Sequence, residues 1–593
     1  MRRTSVAALS ITALLLLSMT GGTGKAASEG DHNASGNGDD AYAGDVVQLP
    51  NGSLLAVGHP KMGSQATSSA ASVAGCTKTF TRAGFPDNVR VNSDCGGAGQ
   101  QEEWVAVNPT DPSNVVVSQT GAFTGVHFSL RGGAPGSFGD SGLFTDLVPC
   151  DPTNPLCGPG GLWSYDLFTD PAHAFGPGGN LFFTAIGFDF LQDPVNGTYV
   201  WRGNACGKGR ALGNPSDRAC FPTVGIPGVI HDNFANPNNQ DATPWIAAGP
   251  RPNATHRSQV AAVWTTTRNE CGSIGTEFCE QPGFFARSTD GGRSWSRPKE
   301  VTGHAPFCVG GDAATGDPAD AHACNLNEFP QDVIAPDGTI YLAWLNFNTT
   351  SLVNQNLFRR STDGGRTWSK VHRVSGVATT EPWSVPGHRI PNCTLGYRCL
   401  PPNGWRVPNH PSLGLNPTTG ELAVTWDDFR NGGRCATDTA TGLPVAPCAN
   451  YNEDVFVSTS TDGGANWSAP RLVTGDSGVT AQWQTAGAAG TRSGELFASY
   501  YDRKYGNCEE SGCNDITLAT TREDSKDWDY RRITTSSMPD LTCAENPFEC
   551  GLLGDYQGLA FSNDKVYLTW ADTRGRGFNA PEQDVYFAKV PEG

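Results

Sequence analysis

Along this chain, short apolar runs alternate with glycine- and aspartate-rich punctuation, and from about residue 100 onward the runs recur as units. Each unit opens with an apolar stretch, turns at D-G or G-x, and enters a second stretch that ends in an aromatic. Examples of that second stretch are Val260–Trp264, Thr339–Trp344, Glu421–Trp426, Glu495–Tyr500 and Lys565–Trp570. Runs this short, bounded by turn residues, predict β-strands. Seven units begin near Glu103, Asp170, Thr243, Phe329, His410, Trp483 and Tyr556. The last holds three strands, ending at Asp584–Val590, and a strand from Phe80–Asn92 is available to complete it. Closure of that kind removes exposed sheet edges. The expected fold is therefore all-β: a single β-propeller of seven four-stranded antiparallel blades, with the N-terminal strand closing the last. A count of six follows if the first two units share a blade.

Three segments repeat a tighter pattern, S-T-D-G-G-x-x-W, at Ser288 to Trp295, Ser361 to Trp368 and Ser460 to Trp467. Thr521 to Trp528 is a worn copy with Glu523 at the Asp position. In a tight hairpin, the carboxylate of Asp290, Asp363 or Asp462 can accept backbone N–H bonds. The paired glycines tolerate positive φ, and Trp295, Trp368 or Trp467 packs back into the sheet. The pattern resembles the Asp-box, or bacterial neuraminidase repeat, of sialidase-like propellers. That resemblance implies a glycoside hydrolase acting on extracellular glycans, with exo-sialidase the nearest activity. It also implies a tyrosine nucleophile beside a carboxylate, an acid/base aspartate, and arginines that grip a sugar carboxylate. Sialidases have six blades and open the first with Arg-Ile-Pro, whereas here Arg389-Ile390-Pro391 lies mid-chain.

In a four-stranded meander the Asp-boxes occupy the 3–4 turns, so their carboxylates are read as structural and mark the face away from the usual propeller site. The 18 cysteines fall into nine close couples, from Cys76 and Cys95 to Cys543 and Cys550. Almost all lie in 2–3 or 4–1 loops, and local pairing would staple single loops on the opposite face. Cys206 and Cys220 are the exception, standing where the second unit's Asp-box would be. Disulfide use on this scale fits an exported protein. So does the N-terminus, a basic Met1-Arg2-Arg3, an apolar run and small residues near Gly24–Ala27, which is the layout of a signal peptide over 1–26. A flexible acidic leader is expected over 27–75 and the propeller over 76–593. Formal net charge is −18, which repels phosphate backbones and argues against nucleic acid. No later stretch is apolar for long enough to span a bilayer. A secreted, soluble monomer with a carbohydrate or glycoconjugate partner is expected.

Candidate chemistry lies on the stapled face. Trp426-x-Asp428-x-Arg430, Trp570-x-Asp572-x-Arg574, Tyr500-x-Asp502-Arg503 and Trp264-x-Thr266-x-Arg268 all leave the second strand toward it. Arg430, Arg503, Arg574 and Arg268 are candidates for binding an anionic sugar, since a guanidinium fork matches a carboxylate. Internal Asp–Arg pairing is the competing reading. Non-repeated polar residues at first-strand entrances are the better catalytic candidates: Glu103, Asp170, Asp241, Glu328, His410, Asp555 and Tyr556. Tyr556 or Tyr501 is the candidate nucleophile with Glu328 as its partner; Asp555 and Asp572 are further carboxyl candidates, and His410 a substrate-binding residue or the base of a lyase. A non-catalytic glycan- or protein-binding propeller is the other alternative. No metal is assigned, because histidine and cysteine spacings lack zinc patterns. A structural calcium ion is compatible with the acidic loops, and no cofactor is expected.

Overall fold

The computed structural model describes residues 45–48, 54–57, 79–92, 100–120, 124–140, 147–149, 162–165, 167–188, 196–203, 228–233, 239–269, 278–308, 321–346, 353–378, 399–400, 405–431, 436–437, 444–445, 453–475, 480–521, 527–540, 553–574 and 583–591. The chain forms seven antiparallel blades, each built from the axis outward in sequence order. Their first strands are Gln101–Val107, Leu167–Phe175, Gln240–Arg251, Asn327–Ile334, Ser412–Leu415, Gln482–Ala489 and Gly558–Ser562. The seventh blade is completed by Asn88–Arg90, paired to the strand Asp584–Pro591 through Tyr586 and Arg90. The expected closure and the count of seven therefore hold. Within the segment read as a leader, Asp45–Gln48 and Leu54–Val57 pair as a hairpin.

The second strands are buried along nearly their whole length, Ile340–Asn346 and Leu422–Asp428 completely so. A strand covered on both faces by neighbouring blades reads as a continuous apolar run, which is why the sequence units were visible.

The Asp-box turns join blades. In each, the serine hydroxyl accepts the second glycine's N–H and donates to the aspartate, as Ser361 does with Gly365 (2.7 Å) and Asp363 (2.8 Å). The tryptophan packs on the preceding blade rather than its own: Trp368 lies edge-on to Phe285 at 5.2 Å, and Trp467 to Phe358 at 5.1 Å. Gly365 and Gly464 sit so close to those same rings that a Cβ would fall inside them. Blade 1 has the same turn without the aspartate. Ser129 accepts the N–H of Gly133 (3.0 Å), and Gly133 packs on Phe587 of blade 7, so the device also closes the ring.

Both described disulfides are local and lie on the other face. Cys308–Cys324 is in the blade 3–4 connection, and Cys508–Cys513 is between the second and third strands of blade 6. Each of the other seven couples has at least one member outside the described residues, where Arg389-Ile390-Pro391 also lies. Among the described residues no helix is long and apolar enough to cross a membrane.

Candidate functional site at the mouth of the channel

The first strands share a bulge at the channel. Glu102, Asp170, Thr243, Phe329 and Gln484 all have positive φ, between 48° and 58°. Each sits where the register with the second strand shifts by an added residue. A bulge re-aims its side chain, and a non-glycine residue in this region costs about 1 kcal/mol or more. Repetition in five blades makes it a device of the fold. In blades 5 and 7 the paired part of the first strand begins at Ser412 and Gly558, and continuing each register two residues back brings His410, next to Asn409 with φ 54°, and Tyr556 to the same place. The mouth is thus ringed by one residue per blade, and these residues do not repeat.

Aromatic groups fill the channel below. Trp245 contacts Trp104 at 4.5 Å, Tyr556 at 5.4 Å and His410 at 6.1 Å, and His410 lies 5.4 Å from Phe329. Tyr556 is buried, and its hydroxyl donates to Pro171 O at 2.9 Å. Burial, then the charges of Glu102, Asp170 and Glu103, hold its phenol well above the usual range. Glu328 lies on the first strand of blade 4, half-buried opposite Leu345. His410 is pushed down to about 3 by burial. Leu413 N donates to Gln331 Oε1, so the Gln331 amide nitrogen donates to His410 Nε2 at 2.7 Å and the imidazole is neutral. Its accepting lone pair is thereby occupied. Asp555 is buried beside Tyr556 in the chain.

The Trp-x-Asp-x-Arg patterns form closed couples. Asp572 accepts from Trp570 Nε1 (2.8 Å) and Arg574 Nε (2.9 Å), and Arg574 also reaches Thr535 and Asn88 while lying over Phe80. Asp428 and Arg430 repeat this, with Arg430 over Phe456 at 4.4 Å. Arg503 is buried and directs Nε toward Asn514 Oδ1. Arg268 pairs with Glu280 and keeps 36% exposure.

Blade 5 holds a pair that the sequence reading did not select. Asp427 is the penultimate residue of its second strand and Glu453 precedes its third, and both are fully buried. Asn409 Nδ2 bridges them, 2.7 Å from Glu453 Oε1 and 3.3 Å from Asp427 Oδ2. Burial raises both carboxyls; Glu453 is raised further by the Asp427 charge and by donating a hydrogen bond to it. Burial thus biases each carboxyl toward its protonated form, Glu453 under the added influence of the Asp427 charge. By register, the Glu453 position is Gln281, Asn354, Asn514 and Gln583 in blades 3, 4, 6 and 7. The Asp427 position is Thr265, Leu345, Tyr501 and Ala571 there. A carboxyl pair replaces neutral groups in this blade alone among those five. Among the described residues no group of three or more His, Cys, Asp or Glu is arranged to hold a metal ion.

No protein-family description matches the chain, and no curated protein matches it. Solved structures do. A protein of unknown function from Dyadobacter fermentans is 11% identical, with a TM-score of 0.37, over 72% of this chain and 94% of its own. The α-L-arabinofuranosidase of Fusarium graminearum is 14% identical at a TM-score of 0.36, over 76% and 98%. A Hadza microbial sialidase is 13% identical at 0.35, over 82% and 75%. At such identities and scores these likenesses say nothing about this chain's chemistry.

Proposed function

We propose that the protein is a secreted, monomeric, sialidase-like glycoside hydrolase that acts on extracellular glycans without a cofactor, with Asp427 and Glu453 as its acid–base pair. The observation supporting this reading is a pair of fully buried carboxyls, bridged by Asn409, that the blade repeat does not require. Glycosidic cleavage needs a carboxylic acid still protonated at working pH to donate to the leaving oxygen, and a carboxylate beside it. Glu453 suits the first role and Asp427 the second. A second reading, a non-catalytic glycan- or protein-binding propeller, is favoured by the Asp428–Arg430 and Asp572–Arg574 couples, which engage both guanidiniums internally, Arg574 at 5% and Arg430 at 27% exposure. A lyase using His410 as base is disfavoured by the hydrogen bond that Gln331 already makes to its Nε2.

The test is sugar release from a panel of fluorogenic glycosides, sialosides included, by wild type, Glu453→Gln and Asp427→Asn. Glu453→Gln is expected to lower kcat by about 10²–10⁴-fold, the usual loss of a general acid, with the fold retained by circular dichroism. Full turnover by this variant would reduce the pair to a latch between blades, and no turnover by wild type on any glycoside would leave the binding reading.

A further inference from the structure

The seam between blades 2 and 3 departs from the rest of the ring. In blades 6 and 7 the fourth strand places Arg532 opposite Thr517 and Arg90 opposite Tyr586, and each arginine pairs with an aspartate of its own blade, Asp515 or Asp584. At the same register blade 2 has His231 opposite Thr198, and its third strand begins with Asn196 instead of an aspartate. His231 turns to the next blade, where its Nδ1 lies 2.8 Å from Asp241 Oδ2. Asp241 is fully buried and also accepts from Thr266 (2.8 Å), Thr198 (2.9 Å) and Asn233 (3.2 Å), so its charge is internally satisfied. The His231 side chain keeps 25% exposure, and its Nε2 has no hydrogen-bond partner among the described residues.

A second donor stands beside it. The His231 ring lies parallel to Phe284, 9° off at 6.2 Å, and the Arg268 guanidinium covers the same Phe284 ring at 5.3 Å. Arg268 commits Nη1 to Glu280, and its Nε and Nη2 make no hydrogen bond among the described residues. Two nitrogen donors on one aromatic ring, both open to solvent, suit a planar oxyanion.

We propose that His231 and Arg268 form a two-donor subsite for a carboxylate-bearing sugar of the uronate class, at the rim between blades 2 and 3. The sugar part rests on the glycan reading above; the carboxylate part rests on the donors alone. Because Asp241 fixes the proton on Nδ1, Nε2 donates only when the ring is imidazolium and accepts when it is neutral. Burial opposes the imidazolium most strongly, and of the charged groups facing the ring Asp241 and then Asp232 favour it while Arg268 opposes it; the net direction is upward from the ordinary value of 6.5. Uronate affinity therefore falls as pH rises through the His231 titration.

The experiment is calorimetric and NMR titration of the full chain with glucuronate, with glucose as the neutral control, at about pH 5.5 and about pH 8, either side of an ordinary histidine pKa. Expected is glucuronate binding that weakens about tenfold or more at the higher pH, a pH dependence lost in His231→Gln, and about tenfold weaker binding in Arg268→Gln at both pH values, the loss of one charge-assisted bond. Glu280→Gln, which releases Arg268, should tighten it. Arg268 lies at the rim, so its variant keeps the test valid if His231→Gln fails to fold. Glucuronate binding unaltered in Arg268→Gln, binding equal to that of glucose, or no binding overturns the subsite. Binding without glycoside turnover would uphold it while removing the hydrolase reading, and turnover without binding would do the reverse.

Discussion

The two faces of this propeller put the same side chain to opposite uses. On one, Asp290 and Asp462 are solvent-exposed and Asp363 is partly so, and hydrogen bonds within their own turns lower their carboxyls. Asp462 is brought to about 2, chiefly by the Asn466 backbone and side chain. On the other side of the blades, Asp427 and Glu453 are buried, and burial raises both. Donors are plentiful and water is near in a repeated turn, so the charge is cheap to hold. A buried pair has few donors, and desolvation decides. Repetition marks the carboxylates that hold the fold; departure from it marks the pair proposed above as acid and base.

The sharpest way to break this contrast is to damage the repeated face without touching a carboxylate. Gly365 has φ near +83°, and a Cβ there would fall 2.1 Å from the Phe285 ring of the preceding blade. Gly365→Val therefore imposes both backbone strain and overpacking. It should destabilise by about 3–5 kcal/mol, the sum of a positive-φ penalty and a forced core shift. Denaturant unfolding would measure this, and below the transition any turnover or ligand binding on the other face should match wild type. A loss under 1 kcal/mol would mean that the turns do not hold neighbouring blades together.

A smaller effect of opposite sign is expected at Asp332, buried on the first strand of blade 4 with both carboxylate oxygens lacking a partner among the described residues. Burial raises its pKa well above 3.8. The folded state then binds a proton that the unfolded chain gives up, so this residue's contribution is intact below about pH 3.8 and is lost as pH rises toward the folded value. Asp332→Asn should be more stable than wild type at neutral pH by about 1–3 kcal/mol, with the gap closing toward pH 4. A gap independent of pH would show that the carboxyl is ionised and paired in the fold.

The sequence displayed the repeating half of this molecule and concealed most of the other. Strands ending in Trp or Tyr and the Asp-box turns were legible because each recurs, and Asp170, Thr243, Phe329, His410 and Tyr556 mark the ring positions found. In blades 1 and 6 the ring residue is Glu102 or Gln484, one place from Glu103 and Trp483, because a bulge adds a residue that no period reveals. The Ser129 turn escaped notice because Arg131 stands where an aspartate would be. Glu453 lies beyond a long connection from Asp427, and its exchange of amide for carboxyl is visible only once strand register is known. His231 sits at a fourth-strand position that other blades fill with arginine, a correspondence equally dependent on register.

The finest test of the contrast is the repeated carboxylate itself. Asp363 accepts from Thr367 N and Thr367 Oγ1 (2.6 Å) and receives the Ser361 hydroxyl. Slight burial works against ionisation, and these bonds outweigh it, bringing the carboxyl to about 2 from 3.8. Its contribution is therefore present above about pH 3.8 and lost as pH falls through about 2. The site is exposed, and solvent screening limits what such bonds contribute. Asp363→Asn keeps the shape and two of the acceptor contacts, so the expected cost is about 0.5–1 kcal/mol at neutral pH. Thermal melts of the two proteins should converge near pH 2. A cost that persists unchanged there would assign the turn's stability to shape and glycine conformation rather than to charge.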